Sequence, residues 1–261
     1  MTTTAPAPTP YRITPARVLR SEWHKLWTLR TTWITLFAAA VLVLAVGITM
    51  GSTYDGDDSD VDTVVFVLLG TQLSQICLAV LGILVTAGEY ATGMIRASLT
   101  AVPRRLPVLW SKAAVFTAVA FALCLVTNVA TFLTAQIWLA DTDKELALTD
   151  SGVLGALAGN AAGVTLLGLI ALGLGALLRS VPGGIGAFVG AVLVVPEIVS
   201  TLPFGGVDAV VRHFPAQAAT SLGSLTRVQD TLAPGPALLT LVLWALTTLA
   251  AASFLLRRRD V

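Results

Sequence analysis

Charged residues make up only 12% of the 261-residue chain, about half of the roughly 25% that a soluble globular domain carries. A soluble fold of this length would lack the charge to cover its surface. Net charge is +1, so there is no bulk electrostatic pull toward nucleic acid and no such partner is expected. The two cysteines, Cys77 and Cys124, sit inside apolar runs, where they read as small buried apolar residues rather than a disulfide or metal pair. Lysine is scarce, 3 against 13 arginines. Lys25, Lys112 and Lys144 follow His24, Ser111 and Asp143, so none completes the Gly-Lys-Ser/Thr of a phosphate-binding loop. His24 and His213 lie outside the apolar runs, and no run holds paired carboxylates, which argues against intramembrane protease or metal chemistry. The expectation is a non-enzyme with no catalytic, cofactor or metal site of its own.

What the chain has instead is uncharged length. Thr31–Tyr54, Thr63–Gly88, Ala113–Ala140, Ser151–Leu178, Ser180–Pro196 and Thr231–Leu256 contain no ionised residue. Each is near or above the ~20 residues a helix needs to cross ~30 Å of hydrocarbon. The runs are apolar on every face, whereas barrel strands alternate in segments of about ten residues. The expected fold class is therefore an all-α membrane protein with six spans, at about 31–54, 64–88, 113–139, 152–178, 181–202 and 234–256. These form one domain, 14–261, behind a Thr, Ala and Pro-rich tail, 1–13, that reads as disordered. The first run has no A-x-A cleavage site after it and reads as a retained anchor.

Basic residues sort by segment. Thirteen of the sixteen fall before the first run, between the second and third, at Arg179, and after the last. Short loops rich in Lys and Arg stay cytoplasmic, so six spans with both termini inside is the self-consistent topology. The alternate loops are acidic, holding Asp55, Asp57, Asp58, Asp60 and Asp62, then Asp141, Asp143, Glu145 and Asp150.

Four segments outside or within the spans carry further signals. From Thr14 to Leu29, the residues Val18, Leu19, Trp23, Leu26 and Trp27 fall on one side of a helix, as suits a helix in the membrane interface. The same stretch also reads as the basic flank that orients the first span. In the loop GEYATGMIRASLTAVPRRLPVLWSK, Glu89 is placed at the start of a short helix, with Met94, Ile95 and Leu99 as an apolar patch. Pro103 and Pro107 are expected to keep that helix out of the third span; the loop is either a docking knob for a soluble partner or an ordinary inside loop. Gly155, Gly159 and Gly163 share one helix face and invite close helix packing. Between the last two spans, Asp208–Phe214 and Ala216–Leu225 read as short half-buried helices parted by Pro215. Glu197 is either an intramembrane polar site or an interfacial carboxylate.

The order of these features resembles the permease subunit of type-2 ABC transporters. SEWHKLWTLRTTW (Ser21–Trp33), GEYATGMIRASLTAVPRR (Gly88–Arg105) and the terminal FLLRRRDV carry the resemblance. It implies a six-helix permease of the bacterial plasma membrane that pairs with a second copy or a paralogue and with separate P-loop ATPase subunits, which hold the ATP and Mg. It also implies an N-terminal interfacial helix, a coupling helix after the second span and re-entrant helices before the sixth. ATPase coupling carries over to Glu22, Trp23, Glu89, Tyr90, Gly93, Ile95, Arg96 and Leu99. The function expected is export of a hydrophobic or amphipathic substrate. A membrane scaffold or sensor docking a cytoplasmic partner, and an ion-coupled secondary transporter, are the other readings.

Overall fold

The computed structural model describes residues 14–56, 60–94, 105–203, 205–225 and 231–258, and every regular element among them is helical. The tail, Asp57, Asp58, Ile95, Arg96, Leu99 and Pro103 lie outside the described residues. In chain order the helices are α1 (Pro15–Thr28), α2 (Arg30–Ser52), α3 (Thr63–Val67), α4 (Thr71–Ala91), α5 (Arg105–Leu139) and α6 (Val153–Leu178). They continue with α7 (Val181–Phe188), a π-helical turn (Val189–Val194), α8 (Val195–Ser200), α9 (Val207–Val211), α10 (Pro215–Leu222) and α11 (Pro234–Arg258).

Among the described residues, six stretches are long and apolar enough to cross a membrane: α2, α4, α5, α6, the composite Val181–Ser200 and α11. Their outer faces are strongly apolar, with Phe37 72%, Ile137 70%, Val126 68% and Ile34 66% exposed. So much exposed hydrocarbon on a helical bundle marks a surface solvated by lipid. This is a multi-pass membrane protein.

Several boundaries differ from those read off the apolar runs. The second run does not make one helix. Asp62 caps a separate one-turn helix, accepting from the Val64 and Val65 amides, and the chain re-enters helix only at Thr71. Glu89 lies in the last turn of α4 instead of starting a loop helix. Pro107 sits in the first turn of α5, where the amide it lacks has no intrahelical partner to lose; the loop helix that Pro103 and Pro107 are expected to keep out of the third span lies outside the described residues. The third span accordingly starts eight residues before 113. In the fifth span, Pro196 would press its ring on the carbonyl four residues back. The wider π turn immediately before it takes up that clash within one continuous helical span.

Lipid offers helices no hydrophobic reason to associate, so the bundle is built from small residues and polar contacts between backbones. Helix α6 is the central element. Its deepest crossing is with α4, where Gly82 lies against the Gly168 carbonyl: a methyl at Gly82 would run into that oxygen and lie 3.1 Å from the Leu172 nitrogen. Next to it, the Thr86 hydroxyl donates to the Leu172 carbonyl at 3.0 Å. A second tie sits further along α6, where Asn128 donates to the Leu157 carbonyl and to Asn160, both at 3.1 Å, and Asn160 donates to Thr71 at 3.3 Å. Helix α11 contributes an alternating Ala237, Leu241, Ala245, Leu249, Ala252, Leu256 face.

Of the glycine stripe, Gly159 and Gly163 pack on the backbone of α10, at Leu222 and Ala219, while a methyl added at Gly155 would meet no described residue within 4 Å. The stripe therefore serves a contact within the chain, over two of its three positions. Replacing Gly82 with Val should destabilise the bundle by about 1–3 kcal/mol or more, read as a lower thermal midpoint and loss of the monodisperse fraction, whereas Gly155→Ala should leave both unchanged. Equal effects at the two sites would contradict the crossing described.

Candidate functional site

Four charged side chains from three helices meet at one end of the bundle. Helix α1 supplies Glu22 and Lys25, α4 supplies Glu89, and α5 supplies Lys112. Lys112 Nζ donates to Glu22 Oε2 and to Glu89 Oε1, both at 2.7 Å. Lys25 Nζ donates to Glu22 Oε1 at 2.8 Å and to Glu89 Oε1 at 3.2 Å. Three of the four are nearly sealed, Glu22 5%, Glu89 6% and Lys112 6% exposed, while Lys25 keeps its side chain 32% exposed at the edge. Two anions and two cations make the cluster neutral.

Burial drives each member to seek a partner, because an isolated buried ion costs several kcal/mol. Glu89 has an added reason. It sits at the C-terminal end of α4, where the helix dipole disfavours a negative charge, and the two lysine ammoniums offset that repulsion. For Lys25, burial alone would lower the ammonium's pKa. The hydrogen bond and charge of Glu22, followed by the charge and hydrogen bond of Glu89, outweigh it and hold the pKa above the ordinary lysine value. The stabilisation from this raised pKa is complete below about 10.4, the unfolded-state value, and is lost only as pH rises through the higher folded value.

The cluster also determines which face of α1 is inside. Val18, Glu22 and Leu26 are buried, whereas Leu19 and Trp23, members of the stripe expected to lie in the membrane interface, are each 42% exposed. Glu22, between Val18 and Leu26 on the packed face, anchors the helix. The aromatic residues form a ladder instead: Trp23 meets Trp27 edge-on at 5.7 Å, and Trp27 lies 4.8 Å from Trp33.

The remaining coupling candidates among the described residues fall near the same end. Tyr90 is half-buried, with the Arg179 guanidinium 5.0 Å from its ring centroid. Gly93 takes φ +73 just past the end of α4, the left-handed geometry that a helix-terminating glycine supplies without steric cost. Glu22 and Glu89 are thus brought together, but against the chain's own lysines and not at the surface. Sequence reasoning missed Lys25 and Lys112, which read only as part of the basic flanks.

Glu197 is not in this cluster. It is exposed on α8 and accepts from Gln217 Nε2 at 3.1 Å. It lines a polar cavity of about 740 Å³ together with Asp62, Gln72, Gln75, Asp208 and Arg212. Gln72 and Glu89 stand at opposite ends of α4, about 25 Å apart along a helix rising ~1.5 Å per residue, so the two sites belong to opposite ends of the bundle. Among the described residues no group of three or more His, Cys, Asp or Glu is arranged to hold a metal ion. No protein-family model matches this chain, and no curated protein sequence does either.

Substituting Lys112 by Met leaves two buried carboxylates facing one lysine and should cost about 3–5 kcal/mol of stability. Lys25→Met should cost less, because that ammonium is partly hydrated. Thermal unfolding, with tryptic release of α1 at Arg17 and Arg20 followed alongside, checks the order; a larger effect at Lys25 would contradict it. In the unsubstituted chain the protection of α1 that Lys25 provides should hold from neutral pH to about 10.

Proposed function

We propose that this chain is the membrane-spanning permease subunit of an ATP-driven transporter of the type-2 ABC class, with both termini cytoplasmic in a bacterial plasma membrane. It would export a hydrophobic or amphipathic substrate, energised by a separate P-loop ATPase subunit and paired with a second permease copy or paralogue. The observation that carries this reading is the neutral ion cluster. It ties α1, the end of the second span and the start of the third span into one body. The 92–104 loop, which carries part of the resemblance, leaves that body three residues after Glu89 and returns seven residues before Lys112. A cytoplasmic partner pressing on such a loop moves two spans and the N-terminal helix together, which is what a lever between an ATPase and a transport path requires. On this reading Glu22 and Glu89 act by holding the lever together, and contact with the ATPase falls to Ile95, Arg96 and Leu99.

Four measurements test the proposal. In a Cys77- and Cys124-free background, a cysteine at position 143 should react with an impermeant reagent in whole cells and one at 258 should not; the reverse pattern would overturn the orientation. Purification from native membranes should recover a P-loop ATPase with no spans of its own, and the chain alone should show no saturable ATP turnover. Ile95→Asp should reduce recovery of that subunit about tenfold or more, by burying an unpaired carboxylate at the contact, with membrane levels unchanged. A cytoplasmic partner that is not an ATPase would support the scaffold reading in its place.

A further inference from the structure

Residues four apart stack along one side of a helix, so α1 presents four lengthwise rows. Val18, Glu22 and Leu26 are the packed row. Next round the helix come Leu19, Trp23 and Trp27, an apolar row whose first two members are exposed. Beyond it lie Arg20, His24 and Thr28, all exposed, and the last row, with Arg17 and Lys25, leads back to the ion cluster. The order is sealed, aromatic, basic. Two contacts fix the level of these rows. Lys112 immediately precedes the uncharged third run, so the cluster that holds α1 sits where hydrocarbon gives way to polar surroundings. The Trp33 indole N–H donates to the Trp27 carbonyl at 3.0 Å, and Trp33 stands in the first turn of the first span, 57% exposed. The aromatic row therefore continues onto a membrane span at the depth where indole rings bridge acyl chains and headgroups, and the basic row beside it falls at the phosphates.

We propose that the outward face of α1 docks an anionic phospholipid, its phosphate on Arg20 and its acyl chains along Leu19, Trp23 and Trp27. Charge decides the headgroup. Among the described residues at this end of the bundle the carboxylates are Glu22 and Glu89, and both are balanced by Lys25 and Lys112. Arg17, Arg20 and Arg30 are exposed around α1. Arg257 and Arg258 are exposed at the same end, since Leu256 shares a core cluster with Leu26. The outward charge is thus uniformly basic, and a zwitterionic headgroup would bring a further cation into it. The guanidinium of Arg20 can grip a phosphate with two parallel N–H donors. A nucleic acid or an acidic protein would match the arginines but leave the aromatic row beside them uncovered, whereas a lipid fills both. The inference is independent of the transport reading, since it concerns this chain and its bilayer alone.

The test uses the full chain in nanodiscs of equal parts phosphatidylcholine and phosphatidylglycerol, with no ATPase present. Trp110→Phe, Trp138→Phe and Trp244→Phe leave the α1 ladder and Trp33 as the tryptophan emitters. Acyl-chain bromines, which quench tryptophan on contact, are carried either by the phosphatidylglycerol or by the phosphatidylcholine. Quenching should favour brominated phosphatidylglycerol by about fivefold, the factor to which ~1 kcal/mol per basic residue at an anionic surface amounts. Arg20→Gln should bring the two probes close to equality with the thermal midpoint unchanged, because Arg20 takes no part in the ion cluster. Arg257→Gln removes the same charge from the same end but away from the ladder, and should leave the preference intact. Equal quenching by the two lipids in the unsubstituted α1 would overturn the anionic headgroup. An equal loss with Arg257→Gln would overturn the site in favour of diffuse surface charge, and a ladder quenched by neither lipid would overturn the membrane as the occupant.

Discussion

Four clustered ions, three of them nearly sealed from water and only Lys25 partly hydrated, are the constraint on which the rest of this structure depends. In a chain so poor in charge, two carboxylates and two ammoniums are placed inside, and their neutrality makes them inseparable. Pulling Lys112 from Glu22 or Glu89 leaves an uncompensated ion in a medium where opposite charges attract far more strongly than in water. The consequence is mechanical. α1 is not a loosely attached amphipathic helix; it is bolted to α4 and α5 through Glu22 and Lys25. Lysine suits this position, since a compact ammonium with three donors reaches two carboxylates at once without needing the flat, two-pronged geometry of arginine.

Away from the cluster, cohesion changes character. At the α4–α6 crossing, Gly82 and Gly168 let backbones touch and the Thr86 hydroxyl reaches the partner helix. Amides of Asn128 and Asn160 add a second polar tie. These contacts need close approach and fixed register, so α4, α5 and α6 form the rigid part of the molecule. The composite fifth span and α11 are far less buried along their lengths, and the fifth span is weakened further by its π turn and Pro196. The bundle thus has a tight half, locked by charge and glycine, and a looser half facing outward.

The six spans are legible from uncharged length alone, because crossing ~30 Å of lipid dictates run length whatever the tertiary packing. Most boundaries agree to within a few residues, and the short helices around Pro215 are also visible. Where the runs mislead, tertiary demands outweigh local composition. Apolar residues at Val64 and Val67 pack as a separate one-turn helix, fully buried, and the third-span helix starts before Pro107 because a helix tolerates proline in its first turn. The cluster itself is only half visible. Glu22 and Glu89 stand out through a resemblance, but Lys25 and Lys112 look like orienting charge. The available signal is the choice of lysine in a chain that otherwise uses arginine. Lys112 and Lys144 are almost wholly buried and Lys25 partly so, Lys144 donating to the Val61 carbonyl at 2.6 Å.

The lock also limits how the molecule can move. A conformational change that opened the interface between α1, α4 and α5 would have to separate the ions, at a cost well above that of sliding apolar helices past one another. A change that carries the three helices together leaves every ion pair intact. Relative motion is therefore confined to the boundary with the less buried elements, where α11 and the fifth span meet α6 through apolar and small-residue contacts. On the proposed reading this is the useful division: a partner acting on the 92–104 loop drives a body that cannot bend, and the displacement emerges at the opposite boundary, beside the polar cavity lined by Gln72, Gln75 and Glu197.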